Sequence, residues 1–153
     1  MNSFYCTKDP ITVIEEGNWP SGNYCILKRG RTCPDGAFKN GYVFWDDEDS
    51  ANRNSAGGEL PSGRFGTNTR IDYCCRSDGS YSTAIPLPTF TPFYLLRYTS
   101  FCQQVKGMHV REEIVYTDDE DDNNSNNVHG SHLHGPVNGQ PNHSIYYCYY
   151  WSL

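Results

Sequence analysis

Two acidic segments contain the residues with the clearest potential for chemistry. Each reads Asp-Asp-Glu-Asp and is followed by Asn at two matching offsets, at 46–54 and again at 118–126. Hard cations take several carboxylate and amide oxygens, so the pattern is compatible with Ca²⁺ binding. The preferred alternative is that these side chains bond nearby backbone and shape two equivalent turns. The calcium hypothesis names eight ligands: Asp47, Asp49, Asn52, Asn54, Asp119, Asp121, Asn124 and Asn126.

Aromatic and Arg side chains form a second candidate set. Tyr and Trp combine an apolar face with a hydrogen-bonding edge, which suits glycans and peptides, and Arg grips carboxylates with two parallel hydrogen bonds. Trp45 stands at a strand end before the first acidic segment and is predicted to be a core residue. Trp151 is nearly terminal and is predicted to be exposed. The candidate ligand-binding residues are Trp19, Arg29, Arg31, Arg97, Arg111 and Trp151.

Three histidines, His129, His132 and His134, have a spacing that would allow a metal ion on a bent loop. They lie within 123–142, a polar stretch rich in Asn, Gly, Pro and His. This composition favours a long, solvated, mobile loop over a metal site.

Acid–base catalysis has one weak candidate, the Glu112–Glu113 pair beside His109. Adjacent residues on a strand point to opposite faces, so the two carboxylates cannot act as a close pair. The sequence has no nucleophile elbow, phosphate-cradling Gly loop or zinc-protease motif. The chain is therefore predicted not to be an enzyme and to require no cofactor, with Ca²⁺ as the candidate ion.

Length and charge narrow the class of protein. The 153 residues fit a single domain, predicted to span 1–153, and the net charge of −6 disfavours a nucleic-acid partner. No apolar run approaches the ~18 residues of a membrane span. The N-terminus shows no signal-peptide pattern, and Met1 is interpreted as the start of an excised domain or of a mature fragment.

Seven cysteines without zinc-knuckle spacing favour disulfides and an oxidising compartment, so the protein is predicted to be secreted. An internal repeat of about 72 residues organises them. The two acidic segments match each other, and 68–74 matches 142–148. Two related halves, about 19–76 and 90–150, follow from this repeat.

The repeat predicts the disulfide pairing. Cys33 corresponds to Cys102 and Cys74 to Cys148, so equivalent bonds are expected in both halves. Cys25 and Cys75 both lack a counterpart, since Leu95 and Tyr149 take their places, and they are expected to pair with each other. The predicted bonds are Cys33–Cys74, Cys102–Cys148 and Cys25–Cys75, and Cys6 is left unpaired.

Alternating apolar residues bounded by Gly and Pro turns predict an all-β fold, a sandwich or barrel of two pseudo-symmetric halves. Tyr, Thr and Val favour strands, and the 14 Gly and 9 Pro favour turns over helices. The predicted strands are 23–28, 42–45, 70–76, 93–98, 109–116 and 144–150.

Several motifs resemble the ApeC domain, the C-terminal module of the apextrins of invertebrates. The likeness covers nearly all of 5–150. It rests on Trp19–Tyr24, Cys33–Gly36, Tyr42–Asp49, Gly66–Arg76, Pro92–Arg97, Gly107–Glu113 and Tyr146–Tyr150.

The resemblance implies a secreted protein of the embryonic extracellular matrix or of innate immunity. Some ApeC domains are linked to binding bacterial peptidoglycan and its muramyl dipeptide fragment, and many follow a perforin-like domain in a longer chain. We therefore expect a pattern-recognition module that binds bacterial cell-wall glycopeptide, or another extracellular glycan or protein. The alternatives are a calcium-dependent matrix adhesion module and a membrane-targeting accessory domain of a perforin-like protein.

Overall fold

The computed structural model describes residues 19–34, 36–47, 53–118 and 125–153. Within these ranges the protein is all-β, as predicted, and no helix is present. The described ranges likewise contain no helical segment with the length and hydropathy of a membrane span. The strands are β1 (Asn23–Leu27), β2 (Lys39–Trp45), β3 (Gly63–Phe65), β4 (Thr69–Ser77), β5 (Phe93–Arg97), β6 (Met108–Asp118), β7 (Asn127–Gly130) and β8 (Asn142–Ser152).

The strand order reveals the two related halves. The sheet runs β6-β8-β5-β1-β4-β2-β7, and the short β3 pairs with β4. The first half contributes β1-β4-β2 and the second half contributes β5-β8-β6, so the order is symmetrical about the antiparallel β1–β5 pair. A duplicated three-stranded unit joined through its first strands gives this arrangement.

Strand alternation divides the apolar residues between the two faces of the sheet. The inner face carries a core rich in first-half residues such as Val43, Trp45 and Ile71, and it also holds Leu96 and Ile145. The outer face carries a core rich in second-half residues, among which Cys148 and Tyr150 are almost fully buried. Each half therefore has its larger core on a different side of the common sheet.

Three disulfides join the described cysteines: Cys25–Cys75, Cys33–Cys74 and Cys102–Cys148. These are the pairs expected from the repeat. Cys74 and Cys75 are neighbours on β4, and their side chains reach different partners because they point to opposite faces. The predicted unpaired Cys6 lies outside the described residues.

The register corrects one detail of the repeat. Cys25 lies opposite Cys75, and in the second half the residue opposite Tyr149 is Tyr94. The counterpart of Cys25 is thus Tyr94, and the expectation that Leu95 takes its place was wrong by one residue. Leu95 instead lies opposite Cys148, as Ile26 lies opposite Cys74. Residue types misplaced the strand by one position, because they align Tyr24 with Tyr94, whereas the register aligns Cys25 with Tyr94.

The His-rich stretch is not the solvated loop that its composition predicted. Residues 127–130 form β7, which pairs with β2, and Leu133 is completely buried in the inner core. The N–H of His134 donates to the carbonyl of Arg97 at 2.7 Å. We call 127–137 the cover segment: it belongs to the second half of the chain, and its strand β7 pairs with β2 of the first half. A single buried Leu and backbone pairing outweigh the polar composition.

Candidate functional site

A row of partly exposed aromatic side chains lies on the inner face of the second half. Tyr147, Tyr149 and Trp151 are alternate residues of β8 and therefore share one face. Tyr94 projects from β5 beside them, with its ring centroid 6.0 Å from that of Tyr147 and 4.9 Å from that of Tyr149. The rings of Tyr149 and Trp151 are 5.6 Å apart, and His109 of β6 lies 5.3 Å from Trp151. We call these five residues the aromatic row.

The guanidinium of Arg111 lies next to the aromatic row. Arg111 of β6 lies opposite Tyr149 in the sheet, and its guanidinium carbon is 5.7 Å from the Tyr149 ring and 6.0 Å from the Trp151 ring. Glu113, two residues along the same strand, accepts a hydrogen bond from Arg111 at 2.6 Å and another from the Tyr94 hydroxyl at 2.9 Å. The row thus combines apolar rings with an Arg and a carboxylate.

The ionic contacts shift the pKa values of this group. Hydrogen bonds from Arg111 and Tyr94 lower the pKa of Glu113, so it stays ionised at neutral pH. Hydrogen bonding to Glu113 raises the pKa of Arg111. Burial and then the hydrogen bond to Glu113 raise the pKa of Tyr94, which keeps its hydroxyl protonated as a donor.

Two polar edges of the aromatic row are available to a ligand. The Tyr149 hydroxyl and the Trp151 indole N–H make no hydrogen bond within the described part of the chain. Both residues are partly exposed, and Tyr94 is 51% exposed. An aromatic side chain at a surface with an unused donor can both pack against a ligand and hydrogen-bond to it.

The sequence predicted two residues of this site and missed the others. Arg111 and Trp151 were candidate ligand contacts, and the structure brings them together. Tyr94, Tyr147 and Tyr149 were not singled out, and His109 and Glu113 were considered only for acid–base chemistry and not as ligand contacts. The signal that could have found them is the alternation around Cys148: its buried side chain assigns the flanking Tyr147 and Tyr149 to the opposite face.

Two predicted ligand contacts lie away from the aromatic row. Arg97 is buried on the outer face, where its guanidinium bonds Glu112 and lies 4.0 Å from the centre of the Tyr146 ring. Trp19 packs against Tyr24 and Phe38 at the edge of the outer core. In these positions Arg97 pairs within the sheet, and Trp19 contributes to packing.

The remaining two candidates, Arg29 and Arg31, follow β1 on exposed chain. Arg29 pairs with Glu59 at 2.9 Å, both being well exposed. Arg31 and Lys28 line a shallow cavity of about 410 Å³ beside Cys33 and Phe38. The structure does not bring them to the aromatic row.

Only three of the eight proposed calcium ligands lie within the described residues: Asp47, Asn54 and Asn126. Asp47 accepts hydrogen bonds from the Asn54 amide at 2.9 Å and from the Thr69 hydroxyl at 3.1 Å. Asn126 accepts from the Asp46 backbone N–H at 2.7 Å. These contacts fit the turn-shaping alternative. Asp49, Asn52, Asp119, Asp121 and Asn124 lie outside the described residues.

Asp46 was not among the predicted ligands, yet it joins the two acidic segments. Its backbone N–H donates to Asn126, and its Oδ2 accepts the N–H of Ser125 at 2.9 Å. The residue is 4% exposed, and its buried Oδ1 has no hydrogen-bond partner. The start of the first acidic segment therefore meets the end of the second.

The histidines do not gather around a metal position. His129 stacks on Tyr42 at 5.4 Å, His132 contacts the carbonyl of Leu133 through Nδ1, and His134 packs edge-on against Tyr146. Burial, and then the charge of Arg97, lower the pKa of His134. No cluster of three His, Cys, Asp or Glu with metal-binding geometry occurs in the described ranges.

These features define a disulfide-stapled, all-β module of two related halves with an open aromatic row on one of them. The family defined by the C-terminal domain of apextrin, ApeC, matches residues 1–150, so the chain belongs to the ApeC family. Its three disulfides and this membership fit an extracellular module. No curated protein and no solved structure matches the chain.

Proposed function

We propose that this ApeC domain is an extracellular pattern-recognition module that binds bacterial cell-wall glycopeptide through the aromatic row. The observation that carries the proposal is the pairing of unused donors with a nearby cation: the Tyr149 hydroxyl, the Trp151 indole and the Arg111 guanidinium. The choice of a bacterial ligand follows the resemblance to ApeC domains linked to peptidoglycan.

The chemistry of a muropeptide suits such a surface. Its sugar rings present C–H groups that pack against aromatic side chains, and its amides accept hydrogen bonds from a phenol or an indole. Its peptide carboxylates pair with a guanidinium. Packing of the ligand against the rings of the row would strengthen these polar contacts, because it displaces local water.

Retention on insoluble peptidoglycan tests the proposal directly. The wild-type domain should be retained at physiological salt and released by muramyl dipeptide. Tyr149→Ala and Trp151→Ala should each weaken retention by about tenfold or more, as expected for aromatic hot spots. Phe101→Ala is the matched control, because Phe101 is 56% exposed and stacks on Tyr81 away from the row. Equal loss in all three variants, or no retention of the wild type, would contradict the proposal.

A second candidate function, calcium-dependent adhesion, is favoured by Asp46. A buried carboxylate oxygen without a hydrogen-bond partner is costly unless a cation satisfies it. Asp46 is also where the two acidic segments meet. A hard cation at that point would tie the halves together and support a calcium-dependent contact with another matrix protein.

Thermal melts with Ca²⁺ and with EGTA test this second function. Calcium should raise the melting temperature of the wild type, and Asp46→Asn should remove the rise. Asp72→Asn is the control, since Asp72 forms an ion pair with Arg70 outside the acidic segments. An identical melting temperature with Ca²⁺ and EGTA would leave the acidic segments as turns.

A further inference from the structure

The cation of the aromatic row is already occupied by a carboxylate of its own strand. Arg111 Nη2 donates to Glu113 Oε1 at 2.6 Å, and Glu113 Oε2 accepts from the Tyr94 hydroxyl at 2.9 Å. The two residues are separated by one position on β6, so they project from the same face. A ligand carboxylate that approaches Arg111 must therefore compete with the Glu113 carboxylate for the same guanidinium.

We infer that Glu113 is a specificity-determining residue, a built-in carboxylate that an acidic ligand must displace. This inference rests on the proposed function of the aromatic row. The Arg111 side chain is 64% exposed and that of Glu113 is 35% exposed, so water and salt screen their attraction. Such a pair holds its geometry in the free protein and yields to a better partner.

Displacement makes the site selective for one class of ligand. Exchanging one carboxylate for another gains little by itself, so the ligand must add contacts that Glu113 lacks. The rings of Tyr149 and Trp151 provide those contacts through packing and their unused donors. A neutral glycan would leave the Arg111–Glu113 pair closed, and a small carboxylate without a ring would bind weakly. The preferred ligand combines a free carboxylate with a sugar or aromatic body.

Glu113→Gln separates this role from a purely structural one. Glutamine keeps an oxygen that can accept from Tyr94, but it removes the negative charge that competes for Arg111. The apparent affinity of Arg111 for a carboxylate should rise by up to about fivefold, the upper end of the range for an exposed ion pair. The affinity for the corresponding neutral amide should stay the same.

The control is Glu59→Gln, which removes the same charge from another exposed Arg–Glu pair, Arg29–Glu59. Acetate is the first probe, followed through the Nε–H signal of Arg111 by ¹H–¹⁵N NMR in the folded domain. Glu113→Gln should shift the acetate titration of Arg111 to lower concentration, and Glu59→Gln should leave it unchanged. The inference is overturned if both variants shift it equally, or if neither does.

The second probe is a pair of soluble muropeptides that differ only in a free or an amidated carboxyl group, measured by calorimetry. Glu113→Gln should tighten binding of the acid by up to about fivefold and leave binding of the amide unchanged. Acetate titration requires no glycopeptide, so its result decides the role of Glu113 independently. If acetate behaves as expected and neither muropeptide binds the wild type, the proposed function fails while Glu113 is still shown to compete for Arg111.

Discussion

The two halves of the sheet differ at one equivalent pair of positions, which is buried and covalently linked in one half and partly exposed in the other. In the first half Cys25 and Cys75 face each other across β1 and β4, form a disulfide and are almost completely buried. In the second half Tyr94 and Tyr149 face each other across β5 and β8, with ring centroids 4.9 Å apart and Tyr94 half exposed. One copy of the unit closed this site with a covalent bond, and the other kept it open as an aromatic surface.

The cover segment contributes to the difference between the halves. Its strand β7 pairs with β2 of the first half, where Gly41 lies opposite Tyr73. A Cβ on Gly41 would lie 2.1 Å from the carbonyl oxygen of Ser131, so only glycine leaves room for the segment. The equivalent position in the second half is Glu113, opposite Tyr147. A glycine permits burial on one side, and a charged side chain keeps the other side exposed.

Loss of a disulfide should lower the free energy of unfolding by different amounts in the two halves. The second half has one bond, Cys102–Cys148, which closes a 46-residue loop, and its removal should destabilise the fold by about 4 kcal/mol. In the first half, Cys25–Cys75 already closes nearly the same loop as Cys33–Cys74. The Cys33–Cys74 bond therefore closes only a small additional loop, and its removal should cost about 3 kcal/mol.

Paired Ala substitutions at each bond, made in a Cys6→Ser background, separate the two cases. Denaturant unfolding without reductant gives the free energy of unfolding of each variant. A smaller loss for Cys102→Ala/Cys148→Ala than for Cys33→Ala/Cys74→Ala would show that the second half does not depend on its single bond.

Gly41→Ala should disturb the cover segment. The added methyl group meets the backbone oxygens of Ser131 and His129, which cannot rotate away as a side chain would. Overpacking of this kind costs about 1–3 kcal/mol. The substitution Glu113→Ala at the equivalent site should cost far less, because that side chain is partly exposed.

Hydrogen exchange checks the location of the Gly41→Ala effect. Faster exchange should be concentrated in the amides of β7 and of His134, with the β5–β8 pair unchanged. Uniform acceleration through the sheet would mean that the segment is part of the global core and not a cover for one half.

Much of this fold follows from local sequence patterns. Alternation and turn residues placed six of the strands, and the repeat predicted the disulfides because Cys identity survives where other residues diverge. Two features of the fold were not predicted from the sequence. The shift from Leu95 to Tyr94 depends on register, which is set by hydrogen bonding between strands. The ordering of Leu133 depends on a contact with the other half, which local composition does not encode.

The candidate site was predicted less well, for a related reason. Arg111 and Trp151 were chosen by type, and the same criterion also selected Arg97, which is buried against Glu112. What separates the two Arg residues is the face of the sheet on which each lies. Arg111 shares its face with Tyr149, and Arg97 shares the opposite face with Tyr24 and Tyr146. Face assignment required the pairing of β5 and β6 with β8.

A disulfide introduced into the second half at the position equivalent to Cys25–Cys75 tests most directly why the two halves differ. Tyr94→Cys/Tyr149→Cys places two cysteines directly opposite each other, as Cys25 and Cys75 are. Because Cys102–Cys148 already closes most of the loop, the new bond would stabilise the fold by about 3 kcal/mol. Loss of the Tyr94–Tyr149 ring contact would cost about 1 kcal/mol of this. The net gain should be about 1–2 kcal/mol, measured by denaturant unfolding without reductant.

The same variant should lose retention on peptidoglycan, since it removes two rings of the aromatic row while the fold becomes more stable. The control is Tyr94→Ser/Tyr149→Ser, which removes the rings without adding a bond and should lose both retention and stability. Gain of stability together with loss of binding would show that a covalent bond at this position favours stability and that an open aromatic surface favours binding. Retention that survives the new disulfide would place the ligand elsewhere on the molecule.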